Sequence, residues 1–412
     1  MRGGLRSLVA LLTLPLSLAV LRAPAYAQPQ KEKTQKLPRK PRQLDKGVTW
    51  QRDPSTGELR VAVVSAASGS ASPSDAAPGQ PPAIQVRTQM VPVTCVVSAA
   101  DGSPVPGLRR EDFKVFDNGV AQRIAYFDAS TQPASVALVI DASPSVLRDA
   151  AEMQRAAVDL VGALAPLDQA AVVDFSAHTY LQLPFSDVRE LVRRAVERID
   201  ARSLLADTGG TNIYEAVYLA ARDLFPGRTG RKAIVLLTDG QDSGLGLTLD
   251  PATAAPHLGS LPDNRLTFDD VARLLAAEDI QIFAVSTENR PRVMTPEWLI
   301  AHENATLISP NARELGIPPY TLYLAEIVRR AGGQLYFLRE AETMADTFRK
   351  IAERIRAEYT IGFYPTPDPG SPGTGWRTLR VQTIDQPGAR VAHRAAYYAA
   401  PSSALPPTNA AP

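Results

Sequence analysis

The run Asp141-Ala142-Ser143-Pro144-Ser145 sets one carboxylate and two hydroxyls directly after the apolar stretch Val136 to Ile140. Farther along, Thr208-Gly209-Gly210-Thr211-Asn212 offers a hydroxyl on a turn that its glycines allow to be tight. A second carboxylate comes with Thr238-Asp239-Gly240, at the end of the apolar run Ala233 to Leu237. These oxygens suit a hard divalent cation, Mg²⁺ or Mn²⁺, which takes oxygen ligands in a near-octahedral shell and keeps several of its waters. The Ser143, Ser145 and Thr211 hydroxyls can act as neutral ligands, and Asp141 and Asp239 can act directly or through waters that they orient. A cation held largely by neutral oxygens keeps much of its charge and seeks a carboxylate from outside. Composition excludes softer sites, because Cys95 is the single cysteine and the four histidines are scattered. The 44 Lys+Arg nearly cancel the 43 Asp+Glu, so no chain-wide field recruits nucleic acid.

The elements that must position these residues follow from periodicity. Residues 134 to about 357 alternate short apolar runs with helical spacing, the pattern of a mainly parallel sheet covered by helices on both faces. The six strands expected are Val136–Ile140, Ala171–Phe175, Thr179–Leu183, Ala233–Leu237, Gln281–Val285 and Gln334–Leu338. Phe175 and Thr179 lie too close for a helical crossover, which predicts an antiparallel hairpin at one edge. Met153, Ala157, Leu160, Val161 and Leu164 recur at helical spacing, as do Leu191, Val192, Val196 and Ile199. In an open sheet of this kind ligands bind beyond the carboxyl ends of the strands, where all three oxygen-bearing loops emerge. The long insertions at 241–267 and 287–320, the second carrying Trp298, are expected to rise around the same edge.

On either side the period changes to two. Val91, Val93, Cys95 and Val97 share one face of a strand, and Asp117-Asn118-Gly119 reads as a hairpin turn between Phe113–Phe116 and Gln122–Phe127. Strand patterns return at 359–364, 376–384 and 389–398. Neither flank has enough strands to close a core alone, so 84–130 and 358–400 are expected to form one β-sandwich into which the α/β domain, 131–357, is inserted. Cys95 reads as a packed core thiol, since no histidine nearby could activate it.

The ends of the chain carry other signals. Arg2 and Arg6 precede an apolar run to Val20, and Ala25-Tyr26-Ala27 supplies small residues for cleavage, so 1–27 reads as a signal peptide and the protein as secreted or periplasmic. No later stretch is long and apolar enough for a membrane span. Residues 28–83 read as a basic, Pro-rich disordered linker whose lysines and arginines could weakly contact an anionic envelope surface, and 401–412 as a disordered tail.

Taken together, Asp141-x-Ser143-x-Ser145, Thr211 and Thr238-Asp239-Gly240 resemble the metal-ion-dependent adhesion site of von Willebrand factor type A domains. The resemblance implies a Rossmann-like doubly wound fold over roughly 134–357. It also implies Ser143, Ser145 and Thr211 as hydroxyl ligands, Asp141 and Asp239 acting mainly through water, and a protein partner that completes the metal shell with an Asp or Glu. The flanks Leu108-Arg-Arg-Glu-Asp-Phe and Tyr359-Thr-Ile-Gly-Phe-Tyr further resemble a secreted, acidobacterial-type bacterial subgroup. The expected function is a non-enzymatic binding or adhesion module. A metal-assisted hydrolase and a scaffold subunit with a vestigial metal site are the alternatives. A hydrolase needs a general base beside the ion, and the obvious candidates, Asp141 and Asp239, are committed to holding it.

Overall fold

A computed structural model describes residues 36–38, 40–44, 48–52, 59–63, 90–99, 103–129, 132–199, 210–244, 247–249, 256–258, 266–295, 298, 316–337, 344–365 and 375–399. The expected signal peptide, most of the linker and of both insertions, and the tail lie outside them. In chain order the strands begin with β1 (Arg42–Gln43), β2 (Val48–Arg52), β3 (Leu59–Val63), β4 (Val91–Ser98), β5 (Phe113–Asp117), β6 (Val120–Gln122) and β7 (Ile124–Asp128). The α/β layer follows with β8 (Ala134–Asp141), α1 (Ala150–Ala163), β9 (Gln169–Phe175), β10 (Thr179–Ser186), α2 (Arg189–Glu197), α3 (Ile213–Leu224) and β11 (Arg231–Thr238). A small hairpin, β12 (Leu247–Leu249) and β13 (Pro256–Leu258), precedes α4 (Phe268–Glu278), β14 (Gln281–Ser286), α5 (Pro319–Ala331), β15 (Gln334–Phe337) and α6 (Met344–Arg356). The chain closes its described part with β16 (Glu358–Phe363), β17 (Gly375–Thr383), β18 (Arg390–His393) and β19 (Ala396–Ala399).

The main sheet has the order β1-β10-β9-β8-β11-β14-β15. Its central strands run parallel, and β10 pairs antiparallel with β9, as the short Phe175–Thr179 connection requires. β8 is buried along its whole length, which is why Ala134–Asp141 reads as one apolar run. Alternation sends Ala137 and Val139 to one face, where α3, α4 and α5 pack, and Val136, Leu138 and Ile140 to the other, where α1, α2 and α6 pack. The fold is a doubly wound, mainly parallel α/β layer. None of the described helices is long and apolar enough to cross a membrane.

The sheet departs from the six expected strands at its edge. The segment read as disordered linker supplies a seventh, β1, paired with Tyr180 and Leu181. Leu44 is buried there, its amide donates to the Thr179 carbonyl, and Arg198 donates to the Pro38 carbonyl. Two paired residues carry no periodicity for a sequence pattern to show. β10 also runs past Pro184 to Ser186, with register shifts on both sides of Leu183 that let the sheet accommodate a residue without an amide proton.

The flanking strands form two four-stranded sheets, β18-β4-β16-β7 and β19-β17-β5-β6. Val93, Cys95, Phe113, Ile361, Phe363, Leu379 and Val381 fill the core between them, so strands before and after the α/β layer build one sandwich. Cys95 is fully buried in this core, and burial pushes its thiol well above the usual range. His393 accepts at Nε2 from the Val381 amide (3.0 Å), and its Nδ1 lies 2.8 Å from the Arg394 carbonyl, so Nδ1 holds the proton and the ring is neutral. Burial lowers its pKa from the ordinary 6.5, with the Arg394 charge acting in the same direction and the bond to the Arg394 carbonyl opposing. Below pH 6.5 the unfolded chain then binds a proton that the folded ring refuses. Its contribution to stability therefore falls as pH drops, by at most about 1.4 kcal/mol per unit, until the folded ring protonates. Urea unfolding at pH 7.5 and pH 5.5 should show a smaller acid loss in His393→Gln than in the wild type. Equal losses would remove His393 as a source of acid sensitivity.

Candidate functional site

From β8 the chain builds outward to β9 and β10, then returns to β11 on the other flank of β8. The connections thus diverge between β8 and β11, and beyond the carboxyl ends of two such neighbouring strands a crevice opens. Asp141 ends β8 and Thr238 ends β11, one residue past the pairing of Leu237 with Ile140.

Asp141 is nearly fully buried and accepts two hydrogen bonds, from the Ser143 amide to Oδ1 (2.9 Å) and from the Thr238 hydroxyl to Oδ2 (2.7 Å). The first bond curls the chain so that Ser143 Oγ and Ser145 Oγ stand 3.0 Å apart. Pro144 fixes the start of the short 3₁₀ turn Pro144–Val146 that carries the pair. Ser143 is buried and Ser145 faces solvent. Asp239 is also buried; its Oδ1 accepts from the Gln241 amide (2.8 Å), while Gly240, at φ +87°, makes the turn between them.

Thr211 arrives through contacts that the sequence pattern did not single out. Its amide donates to Ser243 Oγ (2.7 Å) and its carbonyl accepts from the Ser243 amide (2.8 Å), tying it to the loop that follows Asp239. Asn212 anchors the same turn from below, donating to the carbonyls of Ser176 (2.9 Å) and Ala177 (2.8 Å). Asp242 accepts from the Ile213 amide (2.7 Å) and so caps α3 from a distant segment. Gly210 sits at φ +116°, and a Cβ there would lie 2.6 Å from Ser243 Oγ, so only glycine lets the two loops meet. Asp242 and Ser243 have the residue types of a helix cap, yet the next described element is the strand β12. Their targets lie about thirty residues upstream, beyond the reach of a local signal.

The electrostatics favour a bound cation. Burial pushes the Asp141 carboxyl up to about 7, against the lowering effect of its bonds from Ser143 and Thr238, and the nearby Asp239 pushes it further the same way. Among the described residues no Lys or Arg forms an ion pair with Asp141 or Asp239, and no group of three His, Cys, Asp or Glu side chains gathers. Two buried carboxylates beside a pair of hydroxyls, without a basic side chain to neutralise them, fit a hard cation bound through oxygen. A cation held there would supply Lewis acidity toward an anionic oxygen. Trp298, set in the second insertion, packs partly buried against the core face that holds α3 to α5.

No curated protein matches the chain. Among solved structures, an aerotolerance-related membrane protein from Bacteroides fragilis is 19% identical, covering 54% of this chain and 98% of that one at a TM-score of 0.36. Proximal thread matrix protein 1 from the mussel byssus, described with a zinc-occupied MIDAS motif, is 17% identical over 59% of this chain and 50% of that one, at 0.37. A von Willebrand factor type A protein from Catenulispora acidiphila is 14% identical over 77% and 74%, at 0.34. Residues 136–241, which hold Asp141, Ser143, Ser145, Thr211 and Asp239, match the family model of the von Willebrand factor type A domain.

Proposed function

We propose that the chain is an exported, non-enzymatic binding module that engages a protein partner through a divalent cation. In this reading Mg²⁺ or Mn²⁺ binds at Asp141, Ser143, Ser145, Thr211 and Asp239, with the hydroxyls as neutral ligands and the carboxylates orienting waters. The observation that carries it is the buried Asp141–Asp239 pair without a basic partner among the described residues, set beside the Ser143 and Ser145 hydroxyls. A cation held this way stays under-neutralised, so an exposed Asp or Glu on another protein is its natural sixth ligand. Both oxygens of Asp141 already accept hydrogen bonds, which suits a positioning role better than proton abstraction. Export rests on the segment 1–27, and the acidobacterial-type secreted subgroup is the relative to which the flanking motifs point.

The test is capture from the native envelope on the immobilised full chain, once in Mg²⁺ and once in EDTA. A protein retained in Mg²⁺ and released by EDTA is expected. Retention indifferent to EDTA would remove the basis for a metal-dependent partner.

A further inference from the structure

At the amino end of the main sheet, the α/β layer is joined to the sandwich through side chains that carry charge. Arg231 opens β11, whose other end holds Thr238 at the crevice, and Glu358 opens β16, paired in register with Val96 of β4. Arg231 Nη2 donates to the Glu358 carbonyl (3.0 Å). Asp279, just past α4, accepts from Thr94 Oγ1 of β4 (2.7 Å) and lies 3.6 Å from Arg394 Nη1. Arg394, buried, donates in turn to the carbonyls of Ala276 and Pro92. Each of these links ties the layer to the sandwich.

The Glu358 side chain is the exception among them. It is buried, its Oε1 accepts no hydrogen bond, and its Oε2 lies 3.7 Å from Arg231 Nε, beyond hydrogen-bond reach. Arg354, in the last turn of α6, makes no bond to it, and its own Nε is buried without an acceptor. The Gln281 amide, on the sheet face that α6 covers, has both its atoms buried and unbonded, so it supplies no donor either. Asp279 adds like charge from the end of α4, and Cys95 of β4 brings only a neutral thiol. Taking a carboxylate out of water without donors costs far more than burying the neutral acid. Burial accordingly raises the Glu358 pKa well above the ordinary 4.5; Asp279 acts in the same direction, and Arg231 and Arg354 oppose it.

We propose that Glu358 carries its proton in the folded chain and that losing the proton opens the seam, which makes the joint between the α/β layer and the sandwich sensitive to base. Opening lets water reach the carboxylate. Above the ordinary carboxyl range the opened seam releases a proton that the closed seam keeps, so closure becomes less favourable by up to about tenfold per pH unit until the closed form ionises too. An ionised Glu358 that drew Arg231 Nε into a hydrogen-bonded pair would instead leave the seam closed. The seam and the cation crevice lie at opposite ends of β11, so the device does not involve the cation.

The experiment is hydrogen exchange of the full chain in EDTA, read on peptides covering 358–363 at pH 5 and pH 8, for the wild type and Glu358→Gln. Protection factors discount the intrinsic pH dependence of exchange, and the paired variant cancels whatever titrates elsewhere in both proteins. Wild-type protection should fall by about tenfold or more between the two pH values, and that of Glu358→Gln should stay within about twofold. A second readout needs no variant: with ¹³C at the glutamate Cδ positions, one glutamate carboxyl of the wild type should still be protonated at pH 6. The proposal fails if wild-type protection is the same at both pH values, if Glu358→Gln loses as much, or if every glutamate is ionised at pH 6.

Discussion

Replacing Asp141 by alanine should abolish EDTA-sensitive capture of a partner while the fold stands. The carboxylate positions Ser143 through its amide and Thr238 through its hydroxyl, so its loss frees the two groups that shape the crevice as well as removing charge. Losing a group that orients a metal's ligands typically lowers metal affinity by about 10- to 100-fold, and partner binding through the metal falls with it. Stability should respond differently. Asp141 is the last residue of β8, its side chain makes no part of the apolar core, and its burial beside Asp239 is itself unfavourable, as the raised carboxyl pKa shows. Asp239→Ala, which relieves the same repulsion, should slightly raise metal-free stability. Thermal unfolding in EDTA should therefore keep both variants within about 1 kcal/mol of the wild type, while capture in Mg²⁺ collapses for Asp141→Ala. A variant that unfolds in EDTA would make its lost capture a consequence of the fold and not of the site.

Asp117→Ala should be strongly destabilising although it lies outside the site. Asp117 is fully buried and accepts from Arg377 Nε (2.9 and 3.0 Å), from Arg377 Nη2 (2.8 Å) and from the Tyr397 hydroxyl (3.1 Å). The three side chains come from β5, β17 and β19 and tie the sandwich strands that precede the α/β layer to those that follow it. Alanine would leave the Arg377 guanidinium buried without its counter-charge, at a cost of about 3–5 kcal/mol. Removing both charges together, as Asp117→Leu with Arg377→Met, should cost clearly less than the single change, because no buried charge is then left unpaired. Urea unfolding of the single and double variants decides it, and a single variant as stable as the wild type would contradict the assignment.

The sequence was most informative where one physical requirement left one pattern. A central parallel strand must be apolar on both faces, so Val136–Ile140 and Ala233–Leu237 stood out, and the oxygen-bearing residues at their ends fell together because adjacent parallel strands end on one edge. The hairpin at Asp117-Asn118-Gly119 was readable because Asn118 and Gly119 both take positive φ, 47° and 80°. Long-range partners were not readable. β1 has two residues, and its place beside β10 depends on Leu44 finding the core and Arg198 finding the Pro38 carbonyl. Asp242 and Ser243 position Thr211 and α3 through contacts between loops about thirty residues apart. The order of strands within the sandwich is likewise set by pairings between segments about 260 residues apart, such as Asp117 with Leu379.

The most direct measurement of the central claim is calorimetric titration of the full chain with Mg²⁺ at neutral pH, on the wild type and on Thr211→Ala and Ser143→Ala. Each variant deletes a neutral oxygen without altering the charge of the crevice, so a change in affinity reports ligation and not a shift in field. One saturable site is expected in the wild type and an affinity lowered by about 10-fold or more in each variant. Absence of binding in the wild type, or equal affinity in all three proteins, would contradict it.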